Sequence, residues 1–248
     1  MNNHNLNKRP HVPDIELKAV LFDLDDTLFD HRYSSRASLS AISQQHTCLQ
    51  SSTLDELEQM HRQFLEDAHL QMLAGHLSLD AARVIRLQRL FEQHGERIAP
   101  AMAVEISRES RRHYQAARRA VPGAIALVEA LRSRLKIGIV TNNLSEEQQE
   151  KLRHIQLAPL IDVLVISEEV GVTKPDPAIF HIALERLVCQ ACEVVMIGDS
   201  WSTDIIGAHQ LGIRAIWLNR YGVDCPDPAM ATEIASLEPL EEVLALLF

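Results

Sequence analysis

Four stretches of the chain concentrate acid, hydroxyl, amide and amine groups. They are Asp23-Leu24-Asp25-Asp26-Thr27, Thr141-Asn142-Asn143, Ser167-Glu168-Glu169 with Lys174-Pro175 after it, and Gly198-Asp199 followed by Asp204. Carboxylates gathered at one place repel unless protons or a cation intervene, and several oxygen donors with a modest negative excess suit Mg2+. Mg2+ keeps several waters and takes one or two protein carboxylates plus substrate phosphate, a role open to Asp23 and Asp199 that leaves Asp25 free to handle protons. A carboxylate can also attack phosphorus, forming an aspartyl-phosphate that divides one hard hydrolysis into two easier steps. Thr141 and the backbone N–H groups around Asn142 could hold phosphoryl oxygens, with Lys174 offsetting the charge on them and on Asp23. Taken singly, each residue has an ordinary role as a strand-end acid, a turn former, a surface lysine or, for Asp204, a first-turn helix acid. The joint pattern carries the weight.

The elements that must position these groups are short apolar runs rich in Val and Ile: 19–22, 136–140, 161–166, 194–197 and 213–218. Such runs read as buried parallel strands. From residue 136 onward, helix-like segments separate them. Ser145-Glu146-Glu147-Gln148 has capping-box spacing, Asp176-Pro177 supplies an N-cap and first-turn proline, and Ser202 opens a helix that Gly212 closes. This alternation predicts a doubly wound α/β sheet, whose ligands bind beyond the carboxyl ends of the strands. Each chemistry-bearing stretch follows a different strand, so all four meet at one edge.

Residues 31–120 have a different texture, with helical periodicity and no strand-like run. Thr53-Leu54-Asp55-Glu56 is a capping box, followed by Leu57, Met60, Phe64, Ala68 and Met72 at helical spacing. In the last of these helices Met102, Ile106, His113 and Ala117 share one face, and Arg108, Arg111, Arg112, Arg118 and Arg119 read as a solvated opposite face. The predicted organisation is an α/β core formed by 14–30 and 121–248, an all-helical insert at 31–120, and a polar tail at 1–13.

The chain has 248 residues, 46% of them apolar and 23% charged, and no apolar run long enough to span a membrane. Its formal net charge of −10 argues against a nucleic-acid polymer as partner. The first ten residues lack the apolar segment of a secretory signal, and four scattered cysteines suit free thiols in a reducing cytoplasm, the CxxC spacing of Cys189 and Cys192 included.

These residues resemble the haloacid dehalogenase-like hydrolase superfamily, whose first motif, DxDx[TV], stands here as Asp23-Leu24-Asp25-Asp26-Thr27. Its second motif is Thr141, its third Lys174 in GVTKPDPAIF, and its fourth GDSWSTD, containing Asp199 and Asp204. The resemblance covers nearly the whole chain from Leu17. It implies a five-stranded core of order 5-4-1-2-3 and a helical cap inserted after the first motif. It further implies Asp23 as nucleophile, Asp25 as general acid and then base, and Mg2+ held by the carboxylates of Asp23 and Asp199 and the backbone carbonyl of Asp25, with Asp204 in support.

An acid at position 25 favours phosphate esters, because an alkoxide leaving group needs a proton and a halide does not. The expected substrate is a small phosphorylated metabolite: a nucleoside monophosphate, a sugar phosphate or a phosphorylated acid. The expected assembly is a monomer or homodimer. Rival readings are a phospho-accepting signalling module, a binding protein without turnover and, within the family, a 2-haloacid dehalogenase or a sugar-phosphate mutase. His31, Arg32 and Arg36 follow the first motif and are candidates to face the cleft.

Overall fold

The computed structural model describes residues 16–73 and 76–248, apart from the side chains of Glu66, His69, Leu70 and Leu73. The tail expected at 1–13 lies outside the described residues. The strands are β1 (Ala19–Phe22), β2 (Lys136–Thr141), β3 (Val163–Ile166), β4 (Val194–Gly198), β5 (Arg214–Leu218) and β6 (Thr232–Ile234). They form one parallel sheet of order β3-β2-β1-β4-β5-β6. The first five have the predicted order. The sixth is an addition, and its sequence TEI is short and mostly exposed, so it has no apolar run by which to be recognised.

Alternation along β1 explains why the sheet is covered on both sides. Ala19 and Leu21 point into one apolar cluster with Phe180 and Ile205, whereas Val20 and Phe22 point into another with Leu127, Val128 and Leu131. Every residue of β1 is buried, which accounts for its unbroken apolar sequence. The flanking helices of the sheet are α5 (Ala124–Arg132), α6 (Ser145–His154), α7 (Ser167–Val170), α8 (Pro177–Leu187), α9 (Ile206–Gln210) and α10 (Leu240–Leu247). Asp176 caps α8, accepting a hydrogen bond from the Ala178 N–H, as its position before proline predicts.

Between β1 and α5 stand α1 (His31–Gln45), α2 (Leu54–Leu73), α3 (Leu79–Gln93) and α4 (Pro100–Ala116). They bury an apolar cluster of their own around Leu39, Leu57, Leu90, Phe91 and Ile106. The Thr53–Glu56 capping box forms, with reciprocal bonds of 2.7 and 3.3 Å.

Contacts between these helices and α6 are dominated by charge, and they correct the solvated reading for Arg111 and Arg118, whereas Arg108 and Arg112 are exposed as expected. Arg111 binds Glu147 at 2.7 Å and Glu150 at 3.1 Å, Arg118 binds Glu150 at 2.7 Å, and Arg83 of α3 binds Glu147 at 2.9 Å. The Arg118 side chain is only 4% exposed, because α6 supplies the carboxylates that a helix considered alone does not have. Arg119 pairs with Asp30 at 2.7 Å. Met102 is exposed, contrary to its place in the predicted apolar face. All four cysteines are free. Among the described residues no helix is long and apolar enough to cross a membrane.

Candidate active site

The loop after β1 sorts Asp23, Asp25, Asp26 and the nearby Asp30 into two pairs. The Asp23 N–H makes the last bond to β4, donating to the Ile197 carbonyl at 3.0 Å, and the chain then turns on the buried side chains of Leu24, Leu28 and Phe29. Asp26 has φ +63°, a left-handed conformation that an aspartate tolerates, and its carboxylate accepts the Arg32 N–H at 2.7 Å. Asp30 is buried between Arg119 and Arg220. Asp26 and Asp30 therefore fix the loop, which leaves Asp23 and Asp25 at the mouth of the sheet.

Asp23 meets the third and fourth stretches. The Lys174 ammonium donates to Asp23 Oδ1 at 2.5 Å and to Asp204 Oδ1 at 2.6 Å. Asp23, Asp199 and Asp204 each offer a carboxylate oxygen within 4.8 Å of the other two. The Thr27 hydroxyl joins the first loop to the fourth, accepting the Asp199 N–H at 3.0 Å and lying 3.4 Å from Asp199 Oδ1. Lys174 is itself held by Asn142, whose side chain accepts its N–H at 2.7 Å and donates to its carbonyl at 2.9 Å. The Asn142 side chain is thus committed to the lysine loop, and only its backbone is available to an oxyanion.

Asp204 reaches the site because the chain after β4 enters a π-helical turn, Trp201–Ile205. Such wide turns place side chains that a regular helix would aim elsewhere. The carboxylate then lies against the backbone of Gly198, where a Cβ would stand 2.3 Å from Asp204 Oδ2. Glycine is required there by close approach.

Asp25 lies on the other side, in a separate network. The Lys151 ammonium donates to both its oxygens, at 2.6 and 2.7 Å, and Gln148 Nε2 donates at 3.1 Å. Gln148 also donates to the Thr141 hydroxyl at 2.5 Å and accepts from Lys151 at 2.7 Å, which links Thr141 to Asp25. The capping box expected at Ser145–Gln148 is not formed. Leu144 is the N-cap residue and Gln148 is fully buried in the site.

The two networks have opposite electrostatics. Burial pushes the Asp23 carboxyl up to about 7, against the pull of Lys174 and with the repulsion of Asp204 added. Burial, then Asp23 and Asp204, raise Asp199 well above the usual carboxylate range. Burial also opposes charge on Asp25, yet Lys151, His31 and Gln148 bring it down to about 2. Lys174 stays protonated, its charge opposed by burial and held by Asp204 and Asp23. Three clustered carboxylates share one ammonium, so the donor set lacks positive charge and offers hard oxygen ligands, which fits a divalent cation such as Mg2+.

Of the three residues after the first motif, His31 lines the cavity and shares a 2.8 Å hydrogen bond with the Tyr114 hydroxyl. Arg32 and Arg36 instead grip Glu58 and tie α1 to α2. Sequence reasoning missed Lys151 and Gln148. Their signal lay in SEEQQEKLRH, where Leu152 is the only large apolar residue and the inward face at i, i+3 and i+4 is completed by Gln148 and Lys151.

The model of the haloacid dehalogenase-like hydrolases matches residues 17–212. The chain belongs to this family. It is 41% identical over 126 residues to the pyrimidine 5'-nucleotidase YjjG of Escherichia coli K12, a match covering 50% of this chain and 56% of that protein, or about half its length. It is 30% identical over 233 residues to the glyceraldehyde 3-phosphate phosphatase of Methanopyrus kandleri, covering 90% and 92% of the two chains. The fold also matches the magnesium-bound crystal structure of the HAD-hydrolase YfnB of Bacillus subtilis, with a TM-score of 0.71, 24% identity and coverage of 94% and 99%. The first two relatives are phosphatases, similar solved structures include a 2-haloacid dehalogenase, and the chain is an enzyme of this hydrolase family.

Proposed function

We propose that the protein is a Mg2+-dependent phosphomonoesterase acting on a small phosphorylated metabolite through an aspartyl-phosphate at Asp23. The observation that carries this reading is the separation of two carboxylates of one loop into different networks at the carboxyl edge of the sheet. Asp23 belongs to the cation-poor cluster with Lys174, and Asp25 to the Lys151–Gln148 network.

A carboxylate oxygen of Asp23 attacks phosphorus, and the bond from phosphorus to the leaving-group oxygen breaks. Asp25 protonates that oxygen as it departs. In the resting protein Asp25 is ionised, the form that accepts a proton; a dianionic phosphoryl group entering beside it favours the protonated form needed for the first step. Water then attacks phosphorus, Asp25 takes the water's proton, and phosphate leaves with Asp23 restored. Lys174 and the Thr141 hydroxyl orient and neutralise the phosphoryl oxygens, and Asp204 holds Lys174 in place. The carboxylates of Asp23 and Asp199 and the carbonyl of Asp25 would hold Mg2+, which supplies charge neutralisation and alignment of the phosphoryl group. Helices α1–α4 act as a cap, and their own apolar cluster and charged contacts with α6 suit a unit that opens and closes.

The test is acid quenching of the Mg2+-loaded protein during turnover of p-nitrophenyl phosphate, followed by peptide mapping. Phosphate on Asp23, with turnover lost on chelation, is the expected result. Phosphate on another side chain, or undiminished turnover in Asp23→Asn, refutes the scheme.

A further inference from the structure

A cavity of about 340 Å³ runs from Asp25 up between the four cap helices. Its walls include Leu39, Leu65, Met72 and Leu87, so charges inside it are poorly screened. Four cationic side chains line it, Arg83, Arg86, Arg111 and Lys151, against two acids, Asp25 and Glu147. The acids are already taken. Asp25 is bound by Lys151, and Glu147 by Arg83 and Arg111.

Arg86 is left over. It makes no ion pair among the described residues, and its Nε is buried without a hydrogen-bond partner. Burial and the neighbouring Arg83 disfavour its charge, and Tyr114 and Glu147, which makes no ion pair with it, offset them only in part, so it is pulled down to about 10, still well above neutrality. Close by, burial and Arg86 push His61 down to about 3, so that imidazole is neutral and adds no competing cation. A buried guanidinium without a carboxylate is costly, and buried ions are normally paired. Among the described residues no side chain supplies that partner.

We infer that the cap cavity receives a second oxyanion, carboxylate or phosphate, carried by the leaving group of the substrate, and that Arg86 is the residue that recognises it. This narrows the phosphatase reading above and rests on it. The substrate class is a phosphorylated acid or a bisphosphate, with its reacting phosphoryl group at Asp23 and its second charge in the cap. His31, which feels both Asp25 and Arg86, lies along the path between the two ends.

The test compares matched esters at equal Mg2+: 3-phosphoglycerate with glycerol 3-phosphate for the carboxylate, and fructose 1,6-bisphosphate with fructose 6-phosphate for the second phosphate. The wild type should prefer the charged member of at least one pair by about thirtyfold in kcat/KM, and the pair showing it identifies the oxyanion. Arg86→Met should erase that preference while leaving p-nitrophenyl phosphate within about threefold, and Arg86→Lys should retain part of it. Without ligand, Arg86→Met should melt no lower than wild type, since it removes an unpaired charge. In the Asp23→Asn background, 3-phosphoglycerate or fructose 1,6-bisphosphate should raise the melting temperature more than its partner ester does, and Arg86→Met should abolish the difference. No preference in either pair, a preference that survives Arg86→Met, or an equal loss on every ester including p-nitrophenyl phosphate overturns the inference. A wild type that turns over p-nitrophenyl phosphate without charge preference defeats this inference alone. A wild type that turns over no ester defeats the phosphatase reading, and the melting experiment then decides the inference by itself.

Discussion

Two sites, the carboxylate cluster at the sheet edge and the cavity among the cap helices, are unbalanced in opposite directions. At the sheet end Asp23, Asp199 and Asp204 share the single ammonium of Lys174; at the cap end four cations face two acids. A protein with a formal net charge of −10 has thus placed an excess of cations in one apolar chamber and an excess of carboxylates a short way below it. Folding alone rewards neither arrangement, because unpaired buried charge is destabilising. On the readings proposed above, each deficit complements a ligand, a cation at the sheet edge and an oxyanion in the cap cavity, whose lining includes the Asp25–Lys151 pair.

The largest expected effect comes from removing the reacting group. Asp23→Asn should lower turnover of p-nitrophenyl phosphate by at least about a thousandfold while leaving the fold intact by circular dichroism. Lys174→Met should lower it comparably and, by leaving Asp23 and Asp204 without their cation, cost about 3–5 kcal/mol in urea unfolding. Added Mg2+ should recover part of that loss. Equal stability of Lys174→Met and wild type in the absence of Mg2+ would show that the lower deficit is not real.

Next in size is Gly198→Ala. The added methyl group would fall 2.3 Å from Asp204 Oδ2, so either the strand end or the π-helical turn must move. Turnover should drop by about a hundredfold, and the rise in melting temperature on adding Mg2+ should shrink. Lys151→Met is expected to be milder and selective. It should slow esters of alcohols by about tenfold or more and p-nitrophenyl phosphate less, because an aryl leaving group needs less acid help from Asp25. A uniform loss on both kinds of ester would assign Lys151 to holding the fold rather than to poising Asp25.

How much of this was legible in the sequence depended on the range of each interaction. β1, β2 and β4 declare themselves through unbroken apolar runs because both faces of each are buried, and the polar residues just past their ends follow from chain order alone. Asp23, Asp199, Lys174 and Asp204 meet as that order implies. β6 is half-exposed and pairs along one edge only, so it leaves no pattern. Lys151 and Arg118 look like surface cations on amphipathic helices, and only the packing of α6 against α4 and the first loop buries them. Arg86 is the extreme case, since the feature that marks it is the absence of a partner for its buried Nε among the described residues, which no local pattern encodes.

The smallest expected effect concerns the contact joining the two ends. Glu147 is held between Arg83 and Arg111, and although burial opposes its charge, these arginines keep its carboxyl below the usual glutamate range. A carboxylate whose folded pKa is depressed contributes stability above its unfolded value, and that contribution is lost as pH falls through the folded value. The loss should therefore begin near pH 5 and be complete below the folded pKa. Because the pair is partly solvated, Glu147→Gln should lower stability at pH 7 by only about 0.5–1 kcal/mol. The difference from wild type should disappear in acid, as both proteins then present a neutral group to the arginines. The same substitution removes the carboxylate shared by Arg83 and Arg111, which keep Asp80 and Glu150, and so enlarges the cationic surplus of the cap; it should lower KM for the preferred anionic ester even as it weakens the fold. A stability difference that persists unchanged at pH 3 would mean that packing, and not charge, holds the cap against α6.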